Sequence, residues 1–147
     1  MKFRLLPFVL LFAGALGAQT SQTIQTTLDW AEAPYRYTLS DGETVEQWRF
    51  TGASFSDEAA TLPLFSERFA LPGRSRLYEP ISLKENPDLA VLAPDLNLRL
   101  SVEQERNQFF GRLKFWPIRK AGSGYERATA FTIRVTITPE PTPVKPR

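Results

Sequence analysis

Apolar and polar residues alternate with a period of two along most of this chain, and that pattern leaves few folds open. It is clearest where Phe131, Ile133, Val135 and Ile137 alternate with Thr132, Arg134, Thr136 and Thr138. Successive side chains of a strand point to opposite faces, so the pattern predicts a strand with one dry and one wet face. Ile24, Thr26, Leu28 and Trp30 repeat it, as do Tyr35, Tyr37 and Leu39, after which Asp41-Gly42 turns the chain. Trp48 and Phe50 are expected on one face of the next strand, which ends near Gly52. Phe65, Phe69 and Leu71 lie between Pro63 and Pro72-Gly73. Leu77, Ile81 and Leu83 form a weaker pattern; Leu96, Leu98, Leu100 and Val102 form a stronger one, and Phe109, Leu113 and Phe115 follow. No stretch carries a 3.6-residue stripe. Segment 85–95 comes nearest, but Pro87 and Pro94 leave room for a turn or two at most. About eight short strands predict an all-β fold, an antiparallel β-sandwich over residues 19–138. Periodicity alone leaves a closed barrel open.

The two ends read differently. Residues 1–18 have the make-up of an export signal. Lys2 and Arg4 start it, Leu5 to Phe12 give a short apolar run, and Ala15, Gly17 and Ala18 supply the small residues of a cleavage site. The mature chain is expected to begin at Gln19 and to be exported, to the periplasm or the cell surface of a gram-negative bacterium. The apolar run falls short of the ~20 residues of a membrane span. With no cysteine there is no thiol to lipidate. Residues 139–147 hold Pro139, Pro141, Pro143 and Pro146 and read as an extended linker or tail.

Loss of Lys2 and Arg4 with the signal takes the net charge from +2 to neutral, so the basic isoelectric point does not argue for nucleic acid. The mature charge is still uneven. Residues 19–98 hold six basic and twelve acidic side chains, and residues 99–147 hold ten and four. This reads as two complementary parts of one domain, with a basic docking surface as the sharper alternative.

The chain has no histidine and no cysteine. A Ser-His or Cys-His nucleophile, a zinc finger and a disulfide are therefore excluded. No catalytic, metal or cofactor-binding residues are assigned, and no cofactor is expected. The close carboxylate pairs Glu43/Glu46, Asp57-Glu58 and Glu103/Glu105 lack the context of a glycosidase pair or a calcium loop, and Glu103/Glu105 reads as a solvated strand end. Arg99, Arg112, Lys114 and Arg134 fall on outward positions, with Phe110 and Trp116 on the parity of Arg112. Such a face can bind anionic glycans or single strands, or it can be arginine stems covering apolar surface. The loop Arg119 to Gly124 can project Arg119 and Lys120, or it is a plain hairpin connection.

Three segments carry a resemblance: WRFTGASF (48–55), LPLFSERFALPG (62–73) and FWPIRKAGSGYERATAFTIRVTIT (115–138). In this order, after an export signal, they resemble the N-terminal region of the type IX secretion sortases of the PorU kind, in the gingipain-like cysteine peptidase family. The resemblance implies a β-rich, non-catalytic domain ahead of a peptidase domain. Such sortases remove C-terminal sorting signals from cargo at the outer membrane and can join it to a lipopolysaccharide anchor. They are held there by an outer-membrane barrel. The family's cysteine and histidine lie downstream of this region, so no catalytic residue is carried over. The Pro-rich tail then fits a boundary before an absent peptidase domain, in a fragment or a split gene. Two other readings stand beside this one. The first is a masking prodomain whose Arg119 or Arg127 mimics an arginine substrate. The second is a secreted adhesin or glycan-binding sandwich.

Overall fold

The computed structural model describes residues 19–78 and 83–141. The expected export signal, Ile81 and most of the Pro-rich tail lie outside them. Among the described residues are ten strands: β1 (Thr20–Thr27), β2 (Tyr35–Thr38), β3 (Thr44–Gln47), β4 (Phe65–Leu71), β5 (Ser75–Tyr78), β6 (Arg99–Glu105), β7 (Gln108–Phe115), β8 (Ile118–Ala121), β9 (Gly124–Arg127) and β10 (Ala130–Pro139). Two more strands are present than periodicity suggests, because the loop expected at Arg119–Gly124 is the β8–β9 hairpin. Its two-residue turn places Gly122 at φ +58°, a conformation that costs glycine little.

The pairing between these strands is antiparallel. One three-stranded sheet has the order β1-β10-β5, a second the order β4-β7-β6, and β2–β3 and β8–β9 are two-stranded. The dry faces of the two larger sheets meet. Ile24, Ile133, Val135 and Ile137 from one and Phe69, Leu71 and Leu113 from the other join a single core. At its centre Phe65, Phe115 and Phe131 form a triangle with ring centroids 4.9–5.2 Å apart. Phe131 presents its edge to both of the others, the arrangement favoured by ring quadrupoles. The alternating strands thus give the expected sandwich, each with its wet face outward.

The segment 85–95 makes the short helix α1 (Pro87–Leu92) between 3₁₀ turns at Leu83–Glu85 and Ala93–Asp95. Pro87 sits at the helix start, where its missing N–H has no consequence. Leu89, Leu92 and Leu96 are almost wholly buried, so this segment closes the sandwich although its sequence has no stripe. Because β5 pairs only with the far half of β10, the near half needs other partners. Asn86 Oδ1 accepts the Thr132 N–H at 2.9 Å, and Asp88 Oδ2 accepts from Thr129. β10 continues to Pro139, and the Glu140 N–H donates to the Arg74 carbonyl at 2.8 Å, so the first residues of the expected tail lie along β5.

The strand expected at Trp48 and Phe50 is displaced. β3 ends at Gln47, and Phe50 makes a lone antiparallel bridge to Trp30, with their rings edge-on at 5.0 Å. The β2–β3 hairpin keeps its alternation but not the expected burial. Tyr35 is 54 % and Leu39 40 % exposed, because neither larger sheet covers this face.

Candidate docking surface

Most of the side chains singled out for chemistry are engaged within the domain. Glu103 and Glu105 do share a face of β6, and each faces an arginine instead of a substrate. Arg112 donates to both oxygens of Glu103, at 2.6 and 3.1 Å, and to Ser66 Oγ at 3.0 Å. Arg68 donates to Glu105 at 2.6 Å and lies 3.6 Å over the Phe110 ring. Hydrogen bonding from Arg112 holds the Glu103 carboxyl below its ordinary range and pushes the guanidinium further up. Glu46 pairs with Arg36 at 2.7 Å. Among the described residues no group of three or more carboxylates could hold a metal ion.

The basic face therefore carries less free charge than its sequence suggests. Arg112 is neutralised, and Trp116 is buried at 7 % exposure with Arg99 lying 5.6 Å over its ring. Lys114 and Arg134 remain exposed. Among the described residues, ion pairs between the halves run in both directions. Arg68–Glu105 and Arg76–Glu140 join a basic residue of the acidic half to an acid of the basic half. Arg119–Asp95, at 3.4 Å, runs in the expected direction.

Arg119 does not project. Its guanidinium donates to Glu126 at 2.9 and 2.7 Å across the β8–β9 hairpin, and this bonding raises its already high pKa. Arg127 is exposed, but its guanidinium carbon lies 4.9 Å over the Trp48 ring and 5.4 Å over Trp30. Arg106 is exposed on a tip, in the two-residue turn between β6 and β7, with φ +56°. A non-glycine residue there stores about 1–3 kcal/mol of backbone strain. Arg106, Arg68, Glu105 and Phe110 line a shallow depression of about 610 Å³. Nothing in the sequence marks Arg106, because a strained φ at a non-glycine position leaves no compositional sign.

A surface that sequence reasoning missed forms around the β2–β3 hairpin. Tyr35, Tyr37, Val45 and Gln47 share one face by register, and Arg49 follows two residues beyond Gln47. Tyr35 and Tyr37 stack at 5.9 Å. The Arg49 guanidinium carbon is 4.5 Å over the Tyr35 ring and 5.9 Å from the centroid of Phe55. The signal for it was present as Tyr-x-Tyr opposite Val-x-Gln-x-Arg, but a hydrophobic alternation reads as core wherever it occurs.

The three segments that carry the sequence resemblance meet in space. Ser54 bridges to Leu64, joining the first to the second. Trp48 lies edge-on to Tyr125 at 6.3 Å, joining the first to the third. Phe65 with Phe115 and Phe131 joins the second to the third at the centre of the core.

No family model matches the chain, and no curated protein matches it. Among solved structures it is similar to a chain in the complex of Porphyromonas gingivalis RgpB pro- and mature domains, at 16 % identity and a TM-score of 0.45. The alignment covers 84 % of this chain and 80 % of that one. A likeness at that score carries neither a residue nor a role from one chain to the other.

Proposed function

We propose that this chain is a non-catalytic β-domain that works with a gingipain-like peptidase, as the N-terminal domain of a PorU-like type IX sortase does. The observation that carries this reading is the convergence just described. The quoted segments build one core and one adjoining surface, so the resemblance concerns a folded unit and not scattered words. The absence of cysteine and histidine agrees with a domain whose chemistry is performed elsewhere. In this reading the domain is exported, supports or docks the peptidase at the outer membrane, and shares with it a barrel anchor. The test is to mix the purified domain with the gingipain-like peptidase domain of the same bacterium and measure the mass of the product. A 1:1 complex at micromolar concentration is expected. Two independent species at 50 µM (on the order of the weakest useful docking affinity) would sink the proposal.

Masking of the peptidase is a second reading, and one observation favours it. Arg106 stands exposed on a strained turn, as an arginine offered to an arginine-specific pocket would. Arg119, held by Glu126 and Asp95, is not offered in this way. Masking predicts inhibition of peptidase turnover that Arg106→Ala weakens and Arg119→Ala does not. Binding without inhibition leaves docking alone.

A further inference from the structure

Among the described residues, Arg36, Arg68, Arg76, Arg112 and Arg119 each reach a carboxylate. Arg49 does not, yet it is held in place. Its Nε and Nη2 donate to Gln47 Oε1 at 2.9 and 2.6 Å. Gln47 is itself buried, 8 % exposed, and its Nε2 donates to the Ala60 carbonyl at 2.9 Å. A buried amide is thus fixed by backbone on one side and aims its oxygen at a guanidinium on the other. Tyr35 covers one face of that guanidinium and Phe55 lies near it.

This arrangement leaves a positive charge uncompensated and pre-oriented. A guanidinium has five N–H donors, and those of Arg49 are only partly occupied by Gln47. The free donors lie beside exposed aromatic surface, Tyr35 at 54 % and Phe55 at 37 %. Arginine among exposed tyrosine and phenylalanine is the composition of an interface centre, and guanidinium fits a carboxylate in a planar, two-bonded pair. Ordering of the arginine by Gln47 and Tyr35 removes part of the entropy that binding would otherwise lose. The same hairpin carries Asp41, Glu43 and Glu46 against Arg36, so a polyanion such as an acidic polysaccharide or a nucleic acid is repelled where a single carboxylate is not.

We propose that Arg49, aimed by Gln47 and flanked by Tyr35 and Phe55, is the anchor of the docking surface and receives one aspartate or glutamate side chain of the peptidase domain. This inference rests on the docking reading above. Gln47 acts as a positioning residue, and Arg49 and Tyr35 touch the partner.

The test is calorimetric titration of the same peptidase domain into the signal-free chain and its variants. Arg49→Met keeps most of the stem and removes the charge; it should weaken binding at least 30-fold. Arg49→Lys keeps the charge but lacks the fork that Gln47 holds, and should remain at least 10-fold weaker than wild type. Tyr35→Ala, at an exposed position, should cost about 10-fold with the fold intact by circular dichroism. Arg74→Met, a control on another exposed strand end, should bind as wild type. Wild-type binding left unchanged by Arg49→Met overturns the anchor and leaves docking standing. No wild-type binding overturns both. An equal loss in Arg74→Met assigns the effect to overall charge and overturns the anchor. So does a wild-type dimer that Arg49→Met dissociates while peptidase binding persists.

Discussion

Gly111 lies in the middle of β7, directly opposite Phe69 of β4, and the Phe69 ring lies across it. A β-carbon placed on Gly111 would overlap ring atoms Cε2 and Cζ of Phe69 and stand 3.0 Å from Cδ2. Backbone strain is not the issue, since Gly111 is absent from the positive-φ positions. Gly111→Ala therefore tests the packing of the Phe69 ring across β4 and β7 at a defined atom. Two effects oppose each other. Replacing a strand glycine stabilises by about 0.5–1 kcal/mol, because the unfolded chain loses freedom. Forcing one methyl into a filled core costs about 1–3 kcal/mol, and full expulsion of a phenylalanine ring about 3–5. Phe69 is only 7 % exposed and is hemmed in by the core, so a shift of ring and strand short of expulsion is expected. The net expectation is a loss of roughly 1–2 kcal/mol, equivalent to a fall of about 4–10 °C in Tm for a domain of this size. Urea unfolding at 25 °C measures it. The decisive arm is Phe69→Leu, which removes Cε2 and Cζ. In that background Gly111→Ala should be neutral or stabilising, a coupling of at least about 1 kcal/mol. Equal destabilisation in both backgrounds, or a neutral Gly111→Ala in the wild type, would refute the reasoning.

The remaining predictions concern single contacts. Glu103 has a folded pKa depressed below its ordinary value near 4.5, so its contribution is present above that range and lost as the pH falls through the lowered value. Glu103→Gln should flatten the pH dependence of stability between the ordinary and the lowered value while costing only ~0.2–1 kcal/mol at pH 7, since the carboxylate side chain is 38 % exposed and solvent screens the pair; an unchanged acid limb in pH-dependent urea melts contradicts this. Trp30→Phe keeps an aromatic ring beside Phe50 but removes the N–H that donates to the Ala128 carbonyl at 2.8 Å. Ala128 is fully buried, so the orphaned oxygen should cost about 1–3 kcal/mol, and a stability change under 0.5 kcal/mol would show that water replaces the donor. Mass spectrometry of the exported protein should give an N-terminus at Gln19, and a retained Met1 would remove the export signal from the account.

How far the sequence discloses the fold depends on what a period-two pattern can mean. In β10 the alternation and the burial agree residue by residue, because this strand lies inside the sheet and its dry face meets the other sheet. In β2 the same alternation leaves Tyr35 over half exposed, because no layer covers that hairpin. Period identifies a face; only tertiary context says what lies against it. The short helix α1 fits the turn or two that Pro87 and Pro94 allow, but its burial is not legible, for the converse reason. Leu89, Leu92 and Leu96 follow a helical step too briefly to show a stripe, and their burial comes from the open side of the sandwich that they close. β8 and β9 escape because four-residue strands around a glycine turn resemble the turn more than the strands.

The candidate surface extends the same argument to function. Charge counts and parity place Arg112 and Arg119 among the free cations, and both are neutralised by acids that only folding brings near. Arg49 attracts no notice in the sequence, since it is one basic residue in an acidic half. Its isolation from carboxylates is a property of position: the acids of its own hairpin, Asp41, Glu43 and Glu46, lie in the turn or on the opposite face from Gln47. A domain that pairs Arg36, Arg68, Arg76, Arg112 and Arg119 with its own acids and braces Arg49 with a buried glutamine has not left that charge open for want of acids. Removing Gln47's carbonyl should then matter more to binding than to folding. In Gln47→Met, the loss of peptidase affinity should exceed what the change in stability accounts for, and equal affinity at reduced Tm would assign Gln47 to the core alone.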